Sequence, residues 1–496
     1  MSVESQPMAG GGPRTGVMVA ETELHGGALS FPQVIAQAFT HIAPGIALLL
    51  AGSFIAAQVG YNMPLAYLFG AVICLAIAIT LATLAAEFPA AASYFTYVSK
   101  TIHPRAGFLV GWLYMLYDPI TGSICATIFG TVLENEAKTA WGIDIPWWLT
   151  FAIMLIVATW ITWRGIKISG RVVLALALIE IAILTLFGLS GLVSPGPGGI
   201  TAESFTSIDP AYGLNGLAFG VALSIMAFTG FEASVPIGEE SRNPRRYVPW
   251  AVIGSIIIAS GFMVVASFGI VNGFGSGFDA NFAGAPVGAF FTLAQRLWGG
   301  GWVLILVVLA NSCFGGLLAC SIVTNRLLFG YARAGVLPQW LAKVDNHVPR
   351  NAVIATTIIS IIWGFAIGFW LGGDGAYYFT ATILTWAVIV IYGAGAVGVF
   401  WYWWRVKRAE FNWFLHFVVP VFAVIALIIS FWLAIPSLTG VYFWTLPINI
   451  VWLIVGIGIL FYFRSSNKEE WLLKSVQYAN EHEATVEELA ALDTEP

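Results

Sequence analysis

The chain is poor in charge. Of its 496 residues, 9% are Asp, Glu, Lys or Arg, against about a quarter in soluble domains. A water-soluble protein of this length and 59% hydrophobic content is excluded, and a single polytopic membrane body is the alternative. Cysteine is scarce as well. Cys74, Cys125, Cys313 and Cys320 all fall inside apolar runs and none forms a C-x-x-C pair, so neither a disulfide framework nor a zinc site is indicated. No metal site and no cofactor are expected. No G-x-x-x-x-G-K-[ST] phosphate loop occurs, which argues against direct drive by ATP. The first 29 residues are polar and Gly-rich without an apolar core, so no cleavable signal peptide is expected and the first span must direct insertion. No basic stripe suggests a nucleic acid partner. Gly188-Leu189-Ser190-Gly191 imitates a nucleophile elbow. It lies at the outer end of a span that runs into SPGPGG, so an enzyme is not the expected reading.

Long apolar runs are what the chain has in abundance. Segments of about 20 residues, enough to cross a ~30 Å hydrocarbon core, fall near 31–57, 63–86, 106–133, 146–163, 171–193, 213–238, 248–272, 300–330, 352–371, 376–403, 413–435 and 442–463. That is about twelve spans. With the N-terminus inside, every Lys and Arg but Lys138 and Arg296 falls on the inner side. The asymmetry predicts an even span count and both termini in the cytoplasm. The chain thus divides into a tail over 1–30, a membrane body over 31–464 and an acidic tail over 465–496 that carries no recognisable chemistry.

Two spans break themselves. Span six reads SIMAFTGFEASVPIGEE, with Thr229, Gly230 and Phe231, then Glu232 and Pro236, inside an apolar run. Span one holds His41-Ile42-Ala43-Pro44-Gly45-Ile46. Pro44 lies 13 residues beyond Phe31, roughly 20 Å along a helix and so near mid-depth. An unsatisfied backbone group in lipid costs several kcal/mol, so paired breaks in corresponding positions of two halves point to an inverted-repeat transporter whose freed groups serve a ligand. N–H groups at a half-helix N-terminus suit a carboxylate, and carbonyls at a C-terminus suit an ammonium. A zwitterionic amino acid fits both.

Gly230-Phe231-Glu232, followed by Glu239-Glu240-Ser241-x-Asn243-Pro244-x-Arg246-x-x-Pro249, resembles the sixth helix and following loop of the amino acid–polyamine–organocation transporter superfamily. Glu87-Phe88-Pro89, Ser93-Tyr94 and Tyr97-Val98 resemble the loop after that family's second helix, with Ala91 and Ala92 at its usual glycine positions. Asn325-Arg326 and Ala332-Arg333-Ala334-Gly335-Val336-Leu337-Pro338 resemble the end of its eighth. The resemblance runs from about Phe31 to Arg464. It implies an all-α, LeuT-like membrane fold: a five-plus-five inverted repeat with discontinuous helices 1 and 6, and two further helices. It also implies an amino acid permease of the plasma membrane working by alternating access, coupled to a proton more readily than to sodium. A polyamine or organocation importer or exchanger of the same fold is the alternative, because Ala43-Pro44-Gly45 replaces the usual Gly-rich run and is closer to a subgroup with putrescine importers. Oligomeric state is left open.

The expected substrate site is Ile42, Ala43, Pro44, Gly45 and Ile46 from span one and Met226, Phe228, Thr229, Gly230 and Phe231 from span six. Met226 stands where some relatives carry a gating aromatic, so Phe228 or Phe231 is expected to serve instead. Asn311 and Ser312 on span eight either pass the substrate or pack helices. Three acids lie deep in spans, each a functional candidate by default. Asp118, beside Pro119, either attracts a cationic group or caps its own helix. Glu232 is expected to lock the break by accepting N–H bonds. Glu180, nine residues beyond Arg171 and so about 14 Å in, falls where proton-coupled relatives carry a lysine. It is either the coupling group or interhelical glue. His41, beside the first break, is a further coupling candidate.

Overall fold

The computed structural model describes residues 24–88, 92–278, 288–333 and 336–465. Most of the two tails, together with Pro89, Ala91, Ala334 and Gly335 of the loop motifs, lies outside the described residues. The described chain is helical, without a strand; Leu29 and Ser241 form an isolated parallel bridge.

Span one begins as α1 (Phe31–Ile42), continues through a π-turn at Ile46–Leu50 and ends as α2 (Ala51–Val59). Then follow α3 (Met63–Glu87), the short α4 (Tyr94–Thr101), α5 (Pro104–Trp141), α6 (Trp147–Trp163) and α7 (Ile166–Val193). The second half opens with α8 (Gly213–Ala227), which stops mid-span and passes through 3₁₀ turns at Phe231–Ser234 and Gly238–Glu240 into α9 (Pro244–Phe274). An amphipathic α10 (Gly288–Trp298) precedes α11 (Val303–Arg333). Next come α12 (Arg350–Arg405), α13 (Val419–Ala434) and α14 (Thr445–Ser465).

The continuous α12 contains spans nine and ten. Its backbone leaves helical geometry at Gly372, with φ 72° and ψ 173°. The Trp363 indole donates to Thr380 Oγ1 at 3.0 Å. In a straight helix those residues would stand about 25 Å apart, so the chain folds back at Gly372. With this hairpin divided, and with span one separated from α3, the described residues supply the twelve spans, Trp147–Trp163 being the shortest.

α1 packs against α7, α9 and α11, and α5 packs against α11 and α12. The outer faces carry unpartnered Ile, Leu, Val and Trp, for example Ile156, Leu178, Ile362 and Trp432, each more than half exposed. In water such a belt would drive aggregation; in a bilayer it faces acyl chains.

Candidate substrate site

The break in span one is local in origin. A residue before proline is biased out of the α region, and here Ala43 takes φ 51°, a left-handed cap on α1. Pro44 then starts the next half-helix, where its missing N–H costs nothing. Gly45 keeps a helical φ of −66°. It is small because of what approaches it. A Cβ there would sit 2.8 Å from Ser312 Cβ and 3.0 Å from Glu180 Oε1.

Span six breaks at Gly230, with φ 119°. A Cβ at Gly230 would lie 2.6 Å from His41 Nδ1 and 2.8 Å from both the His41 carbonyl carbon and the Ile42 nitrogen. The two breaks therefore touch, backbone against backbone. Glu232 holds the second one. Its carboxylate accepts the Gly230 N–H at 3.0 Å and the Tyr117 hydroxyl at 2.8 Å, which is the locking role expected of it.

Above the paired breaks lies a cavity of about 400 Å³, within the range of small-molecule sites. His41, Ile42, Ala43, Ile46, Met226 and Thr229 border it at the breaks. Its remaining wall comes from residues that motif reading did not single out. Phe54 and Gln58 come from α2, Thr121 and Cys125 from α5, and Phe219 and Leu223 from α8. Tyr377, Tyr378, Thr382 and Thr385 come from the tenth span, and Tyr442 from the turn before α14. The rings of Phe54 and Tyr378 meet edge-on with centroids 4.1 Å apart. Phe228 and Phe231, the expected aromatic gate, are fully buried away from this wall, against Tyr67 and Tyr392 respectively.

The freed amides of span one are already engaged. Gly45 N–H donates to Glu180 Oε1, and Ile46 N–H to Ser312 Oγ at 3.1 Å. This leaves the carbonyls of His41 and Ile42 without their helical donors. Glu180 Oε2 is buried with no partner among the described residues. Glu180, on α7, thus faces the back of span one beside Ser312 of α11, and is not on the cavity wall. Pro44 and Gly45 are likewise behind the wall. Asn311 donates to the Leu176 carbonyl at 3.0 Å, joining α11 to α7. Asp118 is fully buried and also off the wall: Oδ1 lies 3.2 Å from His41 Nε2, and Oδ2 accepts the Thr324 hydroxyl at 2.7 Å. His41 stands between Asp118 and the cavity. Apart from that imidazole, no carboxylate or basic side chain among the described residues borders the cavity.

The end of the bundle away from Tyr442 is tied by ion pairs. Arg326 forms a two-bonded ion pair with Glu240 at 2.8 and 3.0 Å, both side chains buried. Arg333 pairs with Glu239 beside it. Leu29 N–H donates to the Glu240 carbonyl and Arg242 N–H to the Leu29 carbonyl, at 2.9 and 3.1 Å. The start of span one, the loop after span six and the end of span eight are thereby latched together. The Glu-Glu-Ser and Asn-Arg motifs are the two sides of this latch.

Comparison with known proteins agrees with this architecture. A family model described as amino acid permease matches residues 29–461. The chain is 23% identical to the branched-chain amino acid permease of Lactococcus lactis subsp. cremoris, over 85% of this chain and 91% of that one. It is 24% identical to the methylthioribose transporter of Bacillus subtilis, over 86% and 90% respectively. With the aromatic amino acid transport protein of Escherichia coli K12 it shares 24% identity over 64% and 69%. The chain belongs to the amino acid permease family and is a membrane transporter, not an enzyme.

Proposed function

We propose that this permease imports a neutral amino acid with an apolar side chain across the plasma membrane, together with a proton, by alternating access. The observation that carries the substrate class is the lining of the cavity. A side chain carrying a full charge would lose its hydration there and meet no counter-ion among the described residues. The apolar wall of Ile46, Phe54, Ile124, Phe219, Leu223 and Met226 suits an aliphatic or aromatic side chain. The carboxyl ends of α1 and α8 converge at the cavity, and helix C-termini favour an ammonium. A polyamine carries a second cation and no apolar end, and Asp118, which would serve it, is engaged by His41 and Thr324.

The skew of Lys and Arg supports cytoplasmic termini. With that orientation the Arg326–Glu240 latch is the closed inner side, and the cavity belongs to an outward-facing state. The coupling group in this reading is Glu180. One of its oxygens holds the Gly45 amide, and the other has no partner among the described residues. A buried carboxyl with a free oxygen can carry a proton at little electrostatic cost.

The test is uptake into proteoliposomes of radiolabelled leucine, phenylalanine, lysine and putrescine, with and without an imposed pH gradient. Saturable, gradient-driven accumulation of leucine or phenylalanine, with little lysine or putrescine, is the expected result. Preferential uptake of putrescine or lysine would replace this reading with the organocation one.

A further inference from the structure

Three side chains capable of binding a metal meet beside the first break, and nothing in the transport reading uses them together. His41 comes from α1, Asp118 from α5 and Cys320 from α11, and all three are buried. His41 Nε2 lies 3.2 Å from Asp118 Oδ1 and 3.3 Å from Cys320 Sγ. The three donor atoms all lie within 4.8 Å of one another. Bonds of about 2.0–2.3 Å from a tetrahedral zinc-class ion to N, O and S donors set donor–donor edges of about 3.3–3.6 Å. The two imidazole edges already stand close to those lengths, and the third lies within 4.8 Å.

The surroundings favour the same chemistry. Thr324 donates to Asp118 Oδ2 at 2.7 Å. That bond orients the carboxylate and leaves Oδ1 on the side of the imidazole, as an outer-shell partner of a metal ligand does. His41 borders the cavity, which supplies a path for a hydrated ion. With three protein ligands, a fourth position is left for water. A mixed N, S and O set selects zinc-class transition metals over magnesium or calcium.

We infer that His41, Asp118 and Cys320 form a site for a zinc-class divalent ion, and that the bound ion inhibits transport by pinning the broken first helix to α5 and α11. On binding, the Cys320 thiol gives up its proton to solvent and the thiolate coordinates the metal. No oxidation is involved. Alternating access requires the first helix to move against its neighbours, so a bond joining three helices at the break holds the protein in one state.

The experiment uses purified full-length protein with Co²⁺ as a spectroscopic probe, and proteoliposome uptake with Zn²⁺. The wild type is expected to show one equivalent of Co²⁺ with thiolate-to-metal charge-transfer absorption, and loss of uptake in Zn²⁺ that a chelator reverses. Cys320→Ser should lose the charge-transfer band and the Zn²⁺ sensitivity while keeping metal-free uptake, since Cys320 does not border the cavity. Thr324→Val should bind Co²⁺ about 10–100-fold more weakly, and it decides the matter if Cys320→Ser fails to fold. Absence of the band in wild type, its persistence in Cys320→Ser, unchanged affinity in Thr324→Val, or Zn²⁺ inhibition that survives Cys320→Ser would each overturn the inference. The spectroscopic arm does not depend on which amino acid is carried.

Discussion

Gly230→Ala tests the contact on which the site is built. The perturbation adds one methyl group. At φ 119° an L side chain is strained, at a cost of roughly 1–2 kcal/mol. The new Cβ would also fall 2.6 Å from His41 Nδ1 and 2.8 Å from two backbone atoms of span one. Carbon contacts relax at about 3.5–4.0 Å, so the breaks must part by about an ångström. Because backbone blocks the way, no rotamer change relieves it, and overpacking of this kind costs about 1–3 kcal/mol. The total is about 2–5 kcal/mol. Gly45→Ala is the matched control. Its φ of −66° suits alanine, and its new neighbours, Ser312 and Glu180, are side chains. It should lose less stability, about 1–3 kcal/mol, and disturb the Glu180 contact selectively. Thermal unfolding of the purified variants, followed by tryptophan fluorescence, should rank wild type, Gly45→Ala and Gly230→Ala in falling order. Initial uptake by Gly230→Ala should drop about tenfold or more. A Gly230→Ala variant with wild-type melting and wild-type uptake would refute the argument, because the breaks would then not be in contact.

Glu180→Gln keeps an acceptor for the Gly45 amide but holds no exchangeable proton, so substrate binding should persist while uptake loses its response to a pH gradient; an unchanged pH response would remove Glu180 from coupling. Glu240→Gln strands the Arg326 charge in a buried latch, which should cost about 3–5 kcal/mol. It should also speed thiol labelling of Cys320 from the latch side, and unchanged melting and labelling would mean the latch is not a closure. Tyr378→Ala removes the ring that meets Phe54, and should weaken apparent substrate affinity more than it lowers the maximal rate; an effect confined to rate would place Tyr378 outside the site.

The amino-acid sequence by itself determined the class of the protein, because hydropathy and the lack of charge act at every residue and need no partner. It located both breaks to within a residue or two, since Pro44 and Gly230 interrupt a helix through their own backbones. It marked Glu232 as a lock for the same reason: the amide it accepts lies two residues away. Tertiary structure decided everything that depends on distant pairing. The amides freed in span one bind Glu180 and Ser312, 135 and 266 residues further along the chain, and no spacing rule reaches that far. Asp118 reads equally as a cavity acid or a helix cap until α1 lays His41 over it. Phe228 and Phe231 stand in for the relatives' gating aromatic in the sequence, yet they are buried in the core, and Phe54 and Tyr378 meet on the cavity wall. An all-round apolar helix shows no stripe by which the buried face could be told from the lipid face. In such a bundle the residues that meet a ligand are set by packing.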